Sequence, residues 1–298
     1  MAGFIRNLKN PFTGNYIFPV TKTRAIYDDY GNRLDNYLNS LYGSPSSNLL
    51  INSNFANPIN QRGVTFPYAT ANTYFIDRWF VNEYATVSKT SKGLKITSND
   101  LGVAIIRQIV EDDLVSHYIT ASAKIDDKVM KVTWKVEANK EVQVQKGNAT
   151  LNISHDGSHV MLKIASAVGT SIEVEWAKLE YGEASTPYAP RLYAEELQLC
   201  KRYYRIISLI DIVYAYTTDL VYVRYTIGDS RFGMREVPTV SILSSIVYKN
   251  GSHDQGFNFS VFIITASDLV LKGEKTAHGL TISNVLQVYS LLALDAEL

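Results

Sequence analysis

Leu151-Asn152-Ile153-Ser154-His155-Asp156-Gly157-Ser158-His159-Val160-Met161-Leu162-Lys163-Ile164 holds two runs whose large apolar residues recur at every second position, joined by a turn dipeptide. Period two places alternate side chains on one side of an extended chain, so each run reads as a strand with one buried face. Asp-Gly is a favoured two-residue hairpin loop. Pairing about Asp156-Gly157 sets Ile153 opposite Val160 and Leu151 opposite Leu162. All four share a face, so turn chemistry and apolar pattern agree. The alternation recurs at Val132, Trp134 and Val136, in Glu141–Gln145 and in Ser171–Trp176. Many short strands with one wet face each, and no βαβ spacing, predict an antiparallel β-sandwich.

Outward from this region the pattern changes twice. Residues 1–46 are too few to bury a core. Within them Leu34, Leu38 and Leu41 fall at i, i+4 and i+7, one face of a helix of about three turns that is too short to stand alone. This helix is expected to pack against the neighbouring domain or against its own copies. Gly43-Ser44-Pro45-Ser46-Ser47 then separates the leader from the sandwich, which is expected over residues 47–190. From Arg191 to Ile207 the stripe Tyr193, Leu197, Cys200, Tyr204 and Ile207 predicts a bridging helix. Strand-like runs at 212–216, 220–227, 239–248, 257–265 and 285–294 complete a second β-rich region, so residues 191–298 form the third segment. The expected class is all-β.

Composition narrows the function. The chain has 298 residues, 29 Lys+Arg against 29 Asp+Glu, and one cysteine. A length of about 100–200 residues per domain leaves room for about two domains. A balanced charge gives no electrostatic reason for nucleic acid or an anionic membrane to bind. No apolar stretch has the length of a membrane span, and the N-terminus shows no secretion signal, so membrane insertion is not expected. A single Cys200 cannot form an internal disulfide, and its place on an apolar helical stripe reads as a structural thiol.

His155 and His159 are four apart, but on a hairpin they diverge to opposite faces, so no metal is expected there, and no cofactor motif occurs elsewhere. Phosphate loops, nucleophile elbows and HExxH are absent, so no catalytic residues are assigned. The 20 tyrosines are the unusual feature. A tyrosine offers a flat apolar face and a hydroxyl, which suits sugar surfaces and subunit interfaces alike. Read as one strand, Tyr74 to Tyr84 sets Phe75, Trp79 and Val81 on the core face and Tyr74, Arg78, Phe80 and Tyr84 on the other. Tyr74, Arg78 and Tyr84 are therefore glycan-binding candidates, as are Tyr214, Tyr216, Tyr222 and Tyr225 in the third segment.

Several stretches, in order, resemble the receptor-binding tail fibre proteins of bacteriophages that carry a carbohydrate-binding-module-like jelly roll. They are Asn48-Leu49-Leu50-Ile51-Asn52-Ser53-Asn54-Phe55, Gln61-Arg62-Gly63 and Asp77-Arg78-Trp79, then Arg107-Gln108-Ile109 and Tyr118–Ala123. Trp176–Gly182, Thr186–Arg191, Glu195–Tyr204, Phe232-Gly233-Met234-Arg235, Pro238-Thr239-Val240 and Asp295-Ala296-Glu297-Leu298 continue the likeness. In the leader, Pro19-Val20-Thr21-Lys22 and Ala25–Gly31 resemble a virion-docking segment. The resemblance implies a phage tail or tailocin protein, made in the bacterial cytoplasm and carried in the virion. It implies a homotrimer whose N-terminal segment docks on the tail baseplate or fibre, and whose distal part meets a host surface glycan. Leu34, Leu38 and Leu41 are then candidates for a subunit contact. A purely structural tail component and a glycan-degrading tail enzyme are the competing classes.

Overall fold

The computed structural model describes residues 8–9, 16–17, 48–69, 71–214, 216, 220–226, 234, 237–249, 252–254, 257–264, 268–274 and 285–297. Leu34, Leu38 and Leu41, and the rest of the leader apart from the paired dipeptides β1 (Leu8–Lys9) and β2 (Tyr16–Ile17), lie outside the described residues. The protein is all-β with antiparallel sheets, and the described residues include one short helix.

The first sandwich has two layers. One sheet runs in the order β10 (Glu141–Lys146), β11 (Ala149–His155), β12 (Val160–Ser166), β7 (Ala104–Val110), β4 (Trp79–Val81), β3 (Thr73–Ile76). The other runs β5 (Ala85–Lys89), β6 (Leu94–Ser98), β13 (Ser171–Tyr181), β8 (Tyr118–Ile125), β9 (Lys128–Lys135). Alternation decides what goes inside: Ala104, Ile106 and Val110 of β7, with Leu151, Ile153, Leu162 and Ile164, join Ile96, Val174 and Leu179 from the facing sheet in one core. Trp79 is fully buried there, edge-on to Phe55 at 4.8 Å, and its indole N–H donates to the carbonyls of Ile51 and Asn52.

The central hairpin forms with a different loop from the one expected. His155 pairs with Val160, Ile153 with Leu162 and Leu151 with Ile164, which leaves Asp156–His159 as a four-residue loop. The cause is the Asp156 carboxylate, which accepts from the backbone N–H groups of Ser158 and His159 at 2.9 and 2.8 Å, closing a side-chain turn that a two-residue loop does not allow. The register differs by two residues, an even number, so every side chain keeps its face.

The bridging helix is shorter than its apolar stripe. The helix α1 spans Tyr193–Cys200, and Tyr204 and Ile207 belong instead to β14 (Tyr204–Tyr214). The run Ile206-Ile207-Ser208-Leu209-Ile210-Asp211-Ile212-Val213 is rich in β-branched residues, and pairing along all of β14 with β20 (Val285–Asp295) overrides the helical spacing.

The second sandwich packs the sheet β14, β20, β16 (Thr239–Lys249), β17 (Ser252–Asp254) against the sheet β15 (Leu220–Thr226), β19 (Asp268–Glu274), β18 (Asn258–Ile264). Its core holds Val221, Val223, Leu269, Leu271, Val288 and Leu292. Ile51, Ile59, Cys200 and Tyr203 form a small third cluster where the two sandwiches meet.

Candidate functional site

The sequence motifs of residues 61–63, 77–79 and 295–297 are distant in the chain and meet in one place. β3 and β4 are joined by a tight turn at Asp77-Arg78, with Arg78 at φ +70°, so Tyr74 to Tyr84 is a hairpin and not a single strand. That turn sends Arg78 inward. Its guanidinium is 2 % exposed, lies 3.6 Å over the Tyr203 ring, and donates to Glu297 Oε2 and to the Ile109 carbonyl, both at 2.6 Å. Glu297 also accepts from the Arg78 backbone N–H at 2.9 Å and from Arg62 at 3.3 Å, while Arg62 reaches Asp295 at 2.9 Å and covers the Tyr204 ring at 4.0 Å. Gln61 donates to Asp77 at 2.6 Å and to the Tyr204 carbonyl at 2.9 Å. Burial pushes the Asp77 carboxyl up to about 7, against the lowering pull of the Gln61 hydrogen bond and the Arg62 charge. These residues tie the last strand of the second sandwich to the first. Arg78 is therefore a joint residue, buried between the two halves and not on an open sheet face.

Tyr84 is half-buried. It follows β4 and packs its ring on Gly102, where an added Cβ would sit 2.6 Å from it. Tyr74 is half-buried, edge-on to Phe80 at 5.6 Å and beneath Arg62 at 5.2 Å, and burial pushes its hydroxyl up to about 12. It does share a row. Register places Tyr74, Phe80, Arg107, Lys163, Asn152 and Gln143 side by side across the outer face of the six-stranded sheet. Arg107 lies over the Phe80 ring at 4.4 Å. Alternation in β7, β11 and β12 contained this row, but the order of the strands did not.

In the second sandwich the aromatic candidates separate. Tyr225 is buried in the core, because Val221, Val223 and Tyr225 alternate inward along β15. Tyr214 closes β14, and its side chain lies outside the described residues. Tyr222 points the other way, to the outer face, where Tyr216 meets it edge-on at 5.4 Å and 81°. Phe262, from β18, is a third ring, 5.4 Å from Tyr222. Alternation along β18 turns Phe262 outward with Asn258 and Ser260, and the register shift between Val261 and Ile263 falls at that residue. Tyr216 is 67 % exposed and Phe262 55 %. Tyr222 stands beside Lys272 and Ser260 in register, Lys272 pairs with Glu274, and Arg224 is exposed two residues on. The Glu274 carboxylate holds the Lys272 ammonium above its ordinary value. Open ring faces amid donors and acceptors form a surface suited to a polyhydroxylated ligand.

Cys200 is fully buried on α1, and burial raises its thiol well above the usual range. His155 is buried and its Nδ1 accepts from the Gly157 N–H at 2.9 Å, which occupies it locally. No protein family matches the chain, and no curated protein matches it in sequence.

Proposed function

We propose that this protein is a receptor-binding component of a phage or tailocin tail, and that its second sandwich recognises a host surface glycan through Tyr216, Tyr222 and Phe262. The observation that supports glycan binding is the cluster itself: three rings, with Tyr222 in contact with both Tyr216 and Phe262, two of them more than half exposed, flanked by Arg224, Lys272, Glu274 and Ser260. Sugar rings stack their apolar faces on aromatic faces, and their hydroxyls take up neighbouring donors and acceptors. The placement in a tail rests on the ordered resemblance to tail fibre proteins. On this reading the leader docks on the tail and residues 191–298 face the cell.

The test is a glycan array probed with the full chain and with Tyr216→Ala and Phe262→Ala. Each substitution removes about 1 kcal/mol of ring contact, so each is expected to weaken binding by about fivefold to tenfold. Retention of no glycan by the wild-type protein would leave a purely structural tail component, and release of reducing ends from a bound polysaccharide would point to a degrading enzyme.

A further inference from the structure

The outer face of the six-stranded sheet sets two cations against each other. β7 and β12 pair antiparallel, and their register places Arg107 directly opposite Lys163, both half-buried and both turned away from the core. Like charges opposed in this way destabilise a sheet. Among the described residues neither side chain has a carboxylate partner, and Arg107 lies instead over the Phe80 ring at 4.4 Å.

The next residue of the row carries a second unmet demand. Asn152 stands opposite Lys163, is 7 % exposed, and donates from Nδ2 to Glu141 Oε2 at 3.1 Å. That bond fixes the amide, because only its NH2 can donate to a carboxylate, and it leaves Oδ1 buried with no donor. Ser154, two residues along on the same face, is 6 % exposed and its hydroxyl is unpartnered too. Buried polar atoms are nearly always hydrogen-bonded, so two orphans beside two unpaired cations mark a place where a ligand completes the bonding.

We propose that this face binds an acidic polysaccharide, with a uronate carboxylate on Arg107 and Lys163 and neighbouring sugar hydroxyls on Asn152 and Ser154. The two demands together select the class. The cations call for an anion, while Asn152 Oδ1 can only accept and so calls for a donor. A sulfate or a phosphodiester group supplies acceptors alone, whereas a uronic acid carries a carboxylate and hydroxyl donors on one ring. Spacing agrees. Residues opposed across an antiparallel pair lie about 5 Å apart, so one planar carboxylate can take the Arg107 fork and still meet the Lys163 ammonium. Lys163 has a flexible four-carbon stem, and its turn toward the carboxylate uncovers Asn152 beside it. Nucleic acid fits less well, because Glu141 stands against Asn152 and the chain has no excess of basic residues to hold a run of phosphates. This face lies in the other sandwich from Tyr216, Tyr222 and Phe262, and the inference stands without them.

Calorimetric titration of the full chain with hexasaccharides of galacturonate, of mannuronate and of hyaluronan tests it, with methyl-esterified hexagalacturonate as the uncharged control. At least one acidic hexasaccharide is expected to bind below 1 mM, more weakly as salt is added, and the ester at least tenfold less tightly. Lys163→Gln should weaken binding by about tenfold. Lys163→Glu should abolish it and yet melt higher than the wild type, because the new carboxylate pairs with Arg107 across the strands. Phe262→Ala should change nothing, which separates this site from the one in the second sandwich. The proposal is overturned if none of the three hexasaccharides binds, if the ester binds as well as the acid, or if Lys163→Gln binds like the wild type. Equal affinity for a single-stranded oligonucleotide of the same charge, or a Lys163→Glu variant that melts lower, also overturns it.

Discussion

The two sandwiches treat their outer faces differently. In the first, the chain covers the outer side of the five-stranded sheet with its own exit segment. Tyr188 stacks flat on Trp176 at 4.6 Å, and the Thr186 hydroxyl and N–H donate to Glu180 at 2.6 and 2.9 Å. Lys178, itself buried, pairs with Glu180 at 2.9 Å, and the Gly182 carbonyl accepts from Thr120. In the second, the face of β14, β20 and β16 keeps its isoleucines in the open. A segment that must leave the sheet whenever the chain unfolds is held by buried ions with satisfied hydrogen bonds, which fix one geometry. The exposed isoleucines have no such anchors.

This contrast can be broken at the core of the self-contained half. Trp79→Ala removes a fully buried ring and strands two carbonyls, so it is expected to cost about 4 kcal/mol. Chemical denaturation should show the loss in the first sandwich, and a loss under 1 kcal/mol would mean that its core is not the closed unit described. The joint between the halves comes next. Glu297→Ala leaves Arg78 buried without its carboxylate, at a cost of about 3 kcal/mol, and should open the segment 190–204 to limited proteolysis. Unchanged cleavage would show that the halves are held by other contacts.

Asp77 sharpens the picture through pH. Its carboxyl titrates near 3.8 when unfolded and near 7 in the fold, so between these values the folded state holds a proton that the unfolded state has lost. Its contribution to stability is full below about pH 4, falls as pH rises, and is gone above about pH 7, a change on the order of 4 kcal/mol. Asp77→Asn should flatten that slope in urea titrations at a series of pH values, and an unchanged slope would assign it to other groups. The smallest effect is expected at the cover. Thr186→Ala loses one hydroxyl donor to Glu180, at about 1 kcal/mol, with faster hydrogen exchange over residues 182–188 and none over β14.

Much of this fold was legible because strand faces depend only on parity. The hairpin at Asp156 has a longer loop than its dipeptide suggests, yet Leu151, Ile153, Val160 and Leu162 are all buried, since a two-residue shift preserves their side. Parity could not say where a helix stops. Tyr204 and Ile207 suit a helical stripe and a strand equally, and only the presence of β20, some eighty residues on, decides between them. β19 escaped notice because Gly273 interrupts it; there a Cβ would lie 2.7 Å from Phe259 and Val221, so packing requires the glycine that weakens the strand signal. The site was half legible. Tyr216 and Tyr222 stand together outside, Tyr225 lies inside by the same alternation, and Phe262 faces outward by alternation too but joins them only through the place of β18 in the sheet, which no local pattern announces. Arg78 was misread because a two-residue turn reverses the chain just where a strand was expected, and its partner Glu297 is far away in sequence.

Hydroxyl-radical footprinting of the full chain tests most directly the claim that the first sandwich covers an outer face with its own exit segment while the second keeps the face of Tyr216 and Phe262 open. Tyr216 and Phe262 should label as readily as the exposed reference Leu101, while Trp176, stacked against Tyr188, is protected. Equal labelling of Trp176 and Tyr216 would contradict the account.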